Sequence, residues 1–176
     1  MRPITSRERD ELLAAFEREA LHLEMRDHYA MPDEAERLTR FLELGYRDHE
    51  AEAGERRFWT RLIADAKAAG KSVRRARVVS EPVTDYVRYL WAGTDPIVEA
   101  GEEVRWLPRS RASALALPGN DFWLFDDRVA VFAVFSGVGA VVAREASEDP
   151  GVVALCRSAF DAVWALATPH GEYVPK

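Results

Sequence analysis

A chain of 176 residues, 48% hydrophobic and 31% charged, has the size and composition of one domain with a substantial core, and residues 1–176 are taken as that domain. The net charge of −6 argues against a general affinity for DNA, because phosphate neutralisation needs clustered Lys and Arg. The single cysteine, Cys156, excludes an intramolecular disulfide and a thiolate metal cluster; no apolar run is long enough to span a bilayer and the charged N-terminus lacks a signal-peptide core, so a soluble cytoplasmic protein is expected.

The N-terminal part, 1–54, reads as mainly helical. Over 6–26, Leu12, Leu13, Phe16, Ala20 and Leu23 recur at helical spacing, with Ser6 as the cap. The segment 20–26 also alternates at period two, so helix and short strand both stay open there. After a break at 29–32, Asp33 caps a helix over 33–44, with Leu38, Phe41 and Leu42 facing inward and Gly45 ending it. Residues 46–54 are a charged linker or the polar start of the next helix.

The remainder, 55–176, reads as an α/β core. A helix over 55–69 shows Phe58, Trp59, Leu62, Ile63 and Ala66 on one face and stops at Gly70. The Val-rich end of 71–80 predicts a strand. Pro82 as first helical residue and Asp85 in the first turn predict a helix over about 82–91. Residues 93–101 are a loop or short helix, and 103–107 a short strand. Two aromatic and β-branched runs, 122–125 and 129–135, flank the turn Asp126-Asp127-Arg128 and predict a hairpin at the centre of the sheet. Gly137 and Gly139 turn the chain into a third antiparallel strand over 140–146. Asp149 with Pro150 starts a long helix whose stripe runs Val152, Val153, Cys156, Ala159, Phe160, Val163, Trp164 and Ala167, with Pro169 as its stop. The order predicts an α/β or α+β fold, a mixed sheet flanked by helices, ending in a β-meander and a long helix.

Several stretches together resemble one family. They are Arg77-Val-Val-Ser-Glu-Pro82 with Asp85, Tyr86 and Arg88; Ala100-Gly-Glu102; Arg105-Trp-Leu-Pro-Arg109; the run from Pro118 to Asp127; Asp149-Pro150; and Ala159-Phe160 with Trp164. The resemblance is to an actinobacterial domain family of unknown function, over nearly the whole chain. Its members are commonly encoded near XRE-type helix-turn-helix regulators, which implies such a regulator as a partner. The element order also resembles half of a phospholipase D-like domain, in which a His-x-Lys-x4-Asp motif supplies the nucleophile, the phosphate-binding cation and the orienting carboxylate. With Asp126 in the Asp place, Gly119 and Asp121 fall at the His and Lys places; with Asp127, they are Asn120 and Phe122. Neither register supplies a nucleophile, so the resemblance implies the scaffold without the activity.

The chemistry-bearing residues concentrate around two strands. Arg75 and Arg77 share one side of the first, with Arg74 on the other, and Arg105 and Arg109 belong to the second. Together they could hold a phosphate, nucleotide or carboxylate. Glu81, Glu102 and Asp121 could instead neutralise them as structural ion pairs. Tyr86, Trp91, Trp106 and Trp123 would line a pocket there or pack in the core, and Arg88 lies beside them. His22, His28, His49 and His170 are scattered without metal-ligand spacing, His170 being placed to cap a helix end, and neither a metal nor a cofactor is expected. Cys156 reads as a core residue.

The reading that follows is a non-enzymatic regulatory or interaction protein, binding a partner protein or a small anionic ligand, with Arg75, Arg77, Glu81, Tyr86, Arg88, Arg105, Trp106, Arg109, Asp121 and Trp123 as candidate contacts. The alternative is an enzyme on a phosphate-bearing or nucleotide substrate, in which Arg77, Arg105 and Arg109 hold the anion and Glu81 or Asp121 is the acid/base. Direct nucleic-acid binding ranks last. Exposed strand edges and the tryptophans fit a homodimer.

Overall fold

The computed structural model describes residues 1–176, apart from the side chain of Glu55. The chain runs β1 (Arg2–Pro3), α1 (Ser6–Ala15), β2 (Glu19–Glu24), α2 (Pro32–Leu44), α3 (Ala53–Ala68), β3 (Ser72–Val79), α4 (Asp85–Ala92), α5 (Asp95–Ala100), β4 (Glu103–Pro108), β5 (Phe122–Phe125), β6 (Val129–Phe135), β7 (Val141–Ser147), α6 (Pro150–Leu166) and β8 (Thr168–Pro169). The strands form an eight-stranded mixed sheet in the order β1-β7-β6-β5-β2-β3-β4-β8. The strands β2, β3 and β4 are mutually parallel, while β5, β6 and β7 form the antiparallel meander beside β2. This is the α/β architecture with a mixed sheet, a meander and a long final helix that the element order predicts.

The hairpin turn fixes the centre of the sheet. Asp126 and Asp127 both have left-handed φ, 54° and 57°, and the Arg128 N–H donates to Phe125 O at 2.9 Å. Two consecutive left-handed residues match the right-handed twist of the strands they join, and Asp tolerates that geometry better than most residues. The Asp126 carboxylate then accepts the backbone N–H groups of Glu17, Arg18 and Glu19 at 2.8, 2.7 and 2.9 Å, which ties the entry of β2 to the hairpin.

The stretch 6–26 divides. Thr5 caps α1 one residue before Ser6, and Glu8 completes a capping box with it. The helix ends at Ala15, and the alternating segment 20–26 resolves into β2, in the middle of the sheet. Of the two readings open for 20–26, the strand is the one realised, inside an otherwise mainly helical 1–54: its apolar spacing is shared by a helix and by a strand whose one face is buried and whose other is polar. Two further helix starts differ. The helix α2 starts at Pro32 after Met31 instead of being capped by Asp33, and α4 starts at Asp85 with Thr84 as its cap instead of at Pro82.

The helix α6 begins as its sequence dictates, with the Asp149 carboxylate accepting the N–H groups of Gly151 and Val152 and Pro150 at its first position. Its Val153, Cys156, Ala159, Phe160 and Val163 bury against Leu21, Leu23, Ala76, Val78, Leu107, Leu124 and Phe132. Full burial contributes about 1.5–3 kcal/mol for a side chain such as Phe160. Burial also pushes the Cys156 thiol up to about 12, which makes it an inert core residue.

The opposite face is covered differently. One apolar cluster, around Leu13, Phe16, Ala66, Val73, Phe125 and Val131, lies under α1 and α3. A second, around Val79, Val83, Val87, Val104, Trp106 and Tyr173, lies under α4. Polar side chains occupy the sheet between them. Above this gap stands α2, none of whose residues is buried. Leu42 and, on α3, Phe58 are exposed instead of facing inward, 53% and 70% accessible, so these two apolar positions are corrected. No described helix is long and apolar enough to cross a membrane.

Candidate functional site: a charged cavity between the sheet and a helix

Strand register builds the site. In the parallel pair β2–β3, His22 stands opposite Arg75 and Glu24 opposite Arg77. In the antiparallel pair β2–β5, His22 stands opposite Trp123. Alternation at period two then sends His22, Glu24, Arg75, Arg77, Asp121 and Trp123 to the same face. That face borders a cavity of about 200 Å³, whose walls also include Arg9, Tyr29, Met31, Glu34, Tyr86 and Arg144. A second cavity of about 590 Å³ adjoins it under α2 and shares Arg9, His22, Arg75, Arg77 and Trp123.

The floor is an ion network. Arg75 donates through Nε to Glu102 at 2.6 Å and through Nη1 to Glu24 at 2.9 Å. Its guanidinium lies over the rings of both Trp59 and Trp123, 5.6 and 5.8 Å from their centroids. Glu102, 1% exposed, also accepts the Trp59 indole N–H at 3.0 Å. Arg77 Nη1 lies 2.6 Å from Glu24, and its guanidinium rests over Trp106. Burial alone would raise the Glu24 pKa, but Arg77 and Arg75 outweigh it and hold the carboxyl at about 2. Arg75 moves up because Glu102 and Glu24 outweigh its own desolvation.

The remaining polar groups surround that network. The His22 ring stacks on Trp123 with centroids 4.0 Å apart. Burial, reinforced by Arg75 and Arg77, keeps its pKa well below the ordinary histidine value despite Glu24, so the imidazole is neutral at pH 7. Asp121 accepts the Met25 N–H at 2.9 Å and a hydrogen bond from the Tyr29 hydroxyl. Burial outweighs both bonds and lifts its carboxyl to about 6. Burial, then the charges of Glu24 and Asp121, push Tyr29 well above the ordinary tyrosine value. Tyr86 donates to Glu34 of α2, and burial and that carboxylate raise its pKa too.

The candidate contacts distribute unevenly. Arg75, Arg77, Tyr86, Asp121 and Trp123 converge on the cavity. Arg105 does not: it pairs in register with Ala76, so it projects from the opposite face, where it stacks on Trp164 at 4.4 Å and donates to Trp164 O at 3.1 Å. Arg109 is a loop clamp, donating to Met25 O, Ser80 Oγ and Val78 O at 2.6, 3.0 and 3.2 Å. Trp106 sits beside Arg77 but is sealed by a stacked Tyr173 and bonded to His170. Trp91 donates its indole N–H to Tyr173 O, and Glu81 accepts the Tyr173 hydroxyl. Arg88 is an exposed partner of Asp85. An anion held jointly by Arg77, Arg105 and Arg109 is therefore geometrically excluded. His170 is buried between Trp106 and Asp95 instead of capping α6.

Sequence reasoning missed His22, Glu24 and Tyr29, together with Arg9 and Arg144. The usable signal was the alternation over 20–26. It places His22 and Glu24, two residues apart, on one side of the stretch whose other side is Leu21, Leu23 and Met25. Among the described residues no group of three or more His, Cys, Asp or Glu is placed to hold a metal ion.

Two solved structures are similar to the chain. Nuc, a phospholipase D family member from Salmonella typhimurium, is similar with a TM-score of 0.50 at 10% identity, over 92% of this chain and 89% of that one. NucT from Helicobacter pylori aligns at a TM-score of 0.48 and 10% identity, over 95% of each chain. The likeness to Nuc makes the fold phospholipase D-like. Asp126, which the sequence offered for the motif's Asp, is here the anchor of the β5–β6 turn. A search of curated proteins found no match. A family profile described as "Domain of unknown function (DUF6879)" matches residues 7–175.

Proposed function

The chain belongs to the DUF6879 family, and from that premise we propose that it is a non-enzymatic, cytoplasmic binding module that takes a small anionic ligand into the cavity between the sheet and α2. The observation that carries this is the composition of the cavity wall. A face of the central sheet that could have packed apolar residues instead presents His22, Arg75, Arg77, Asp121 and Trp123 to a void, under a helix with no buried residue. Buried polar groups are costly unless they meet partners, and a binding cavity is where such a cost serves a purpose. Four arginines, Arg9, Arg75, Arg77 and Arg144, face the 200 Å³ cavity against the three acids Glu24, Glu34 and Asp121. Glu102, sealed behind Arg75, balances the fourth guanidinium, so it is the guanidinium N–H donors lining the cavity, and not a net local charge, that suit an anion.

A thermal-shift screen against nucleotides, sugar phosphates and small carboxylates, each beside a neutral counterpart, tests the reading. A ligand that binds only the folded state adds about 2.7 kcal/mol at a hundredfold excess over its Kd. An anionic member should raise the midpoint in the wild type and not in Ala133→Met, which fills the cavity. A panel without any shift, or a shift that persists in Ala133→Met, would count against it.

One observation favours a protein partner as the output of the module. Leu42, Leu44, Tyr46 and Phe58 are 53, 43, 59 and 70% exposed on α2, just after it and on α3, and Phe58 lines the cavity under α2. A regulator of the XRE type, which the sequence resemblance implied, would dock on these residues. Size-exclusion chromatography of the two proteins together should give an earlier peak that Phe58→Asp abolishes; separate elution at micromolar concentration would dismiss this output.

A further inference from the structure

The two cavity arginines without a buried carboxylate lie together. Arg144, on β7, stands in register with Ala133 on β6, so its side chain shares the face of Val131 and Trp123. Its Nη1 donates to Ser6 Oγ at 3.0 Å, and among the described residues it has no carboxylate within ion-pair distance. Arg9 reaches the same cavity from α1. Its one carboxylate partner is its chain neighbour Asp10, 48% exposed and thus largely screened. Burial and the charge of Arg9 lower the pKa of Arg144, and the half-exposed carboxylate of Asp10, the partner of Arg9, offsets them only in part. Two guanidinium groups brought together in a partly buried wall repel one another until an anion lies between them.

The surroundings set the shape of that anion's carrier. Arg75 and Arg77 are already engaged by Glu24 and Glu102. Between the two arginine pairs the sheet offers Trp123, Val131 and the small Ala133, an apolar floor. We infer that Arg9 and Arg144 form the oxyanion subsite of the cavity, holding the carboxylate or phosphate of a ligand whose flat apolar body lies over Val131 and Ala133 against Trp123. This deepens the binding reading above and rests on it. Guanidinium pairs suit both oxyanions through paired N–H donors, and the aromatic wall suits a planar body.

The test uses the full chain with phenyl phosphate and benzoate as probes, inorganic phosphate and benzyl alcohol as controls, and tryptophan fluorescence as readout. Phenyl phosphate or benzoate should bind more tightly than inorganic phosphate or benzyl alcohol, and the tighter of the two aromatic acids tells a phosphate from a carboxylate site. Arg144→Gln should weaken that binding about tenfold or more, the loss expected for a charge-assisted hydrogen bond. Arg144→Lys should recover part of it, and Arg105→Gln, on the opposite face, should change nothing. The ligand-free Arg144→Gln protein should be no less stable than wild type, because one of two like charges is gone. Undiminished binding in Arg144→Gln, with loss in the cavity-filling Ala133→Met, would overturn the subsite while leaving the cavity reading intact. Failure of both aromatic acids to bind, when a member of the anion panel does, would overturn the ligand class; failure of that panel as well removes the cavity reading itself.

Discussion

Glu24 and Arg77 stand directly opposite each other across the parallel pair β2–β3, their charged groups 2.6 Å apart, and the same carboxylate reaches Arg75 at 2.9 Å. One acid thus serves two guanidinium groups that are each about nine-tenths buried, 11% and 10% exposed. Removing one partner of a buried ion network strands the others. Glu24→Gln should cost about 3–5 kcal/mol in denaturant unfolding. A change within about 0.5 kcal/mol, the range of ordinary surface substitutions, would mean that solvent screens these charges.

The pH dependence of stability separates the cavity's two perturbed carboxylates. Glu24 has a folded pKa of about 2 against an ordinary 4.5, so its contribution is complete above pH 4.5 and is lost as the pH falls through 2. Asp121 runs the other way, with a folded value of about 6 against an ordinary 3.8. The folded state keeps a proton that the unfolded state has released, so this contribution is complete below pH 3.8 and is lost as the pH rises through 6. The stability of wild type relative to Asp121→Asn should therefore fall by roughly 1–3 kcal/mol between about pH 4 and pH 7. Chemical denaturation of both proteins across that range measures it, and parallel profiles would contradict the assignment.

The Asp126 turn carries a third expectation. Its carboxylate gathers three backbone N–H groups, and its φ of 54° suits Asn or Gly better than Ala. Asp126→Ala should destabilise by about 2–4 kcal/mol, since it loses charge-assisted bonds and adds backbone strain. Asp126→Asn, which keeps an acceptor and tolerates the left-handed region, should lose less than half of that. Equal losses in the two variants would show that the side-chain bonds to 17–19 contribute little.

Much of the fold was legible because most of its elements carry a single period. The stripe from Val152 to Ala167 has only a helical reading, and the hairpin runs have only a strand reading. The stretch 20–26 satisfied both periods, and tertiary pairing with β3 and β5 decided for a strand. That one ambiguity concealed half of the site, because His22 and Glu24 become neighbours of Arg75 and Arg77 only once β2 lies beside β3. Arg105 shows the converse error. Placing it with Arg75 and Arg77 needs the register between two parallel strands, and the observed pairing of Arg105 with Ala76 sends it to the other face. Arg9 and Arg144 come from distant elements, and no local pattern links them.

Ligand entering the cavity beside Trp123 is reported directly by the indole N–H resonances of the five tryptophans. Trp123 and Trp59 border the charged cavities, Trp164 lies under Arg105 on the opposite face, and Trp106 and Trp91 pack against Tyr173 and His170. Titrating ¹⁵N-labelled protein with the tightest anion from the thermal-shift panel should move the indole signals of Trp123 and Trp59 and leave that of Trp164 in place. Movement confined to Trp164, or none at Trp123 at saturating ligand, would contradict the account.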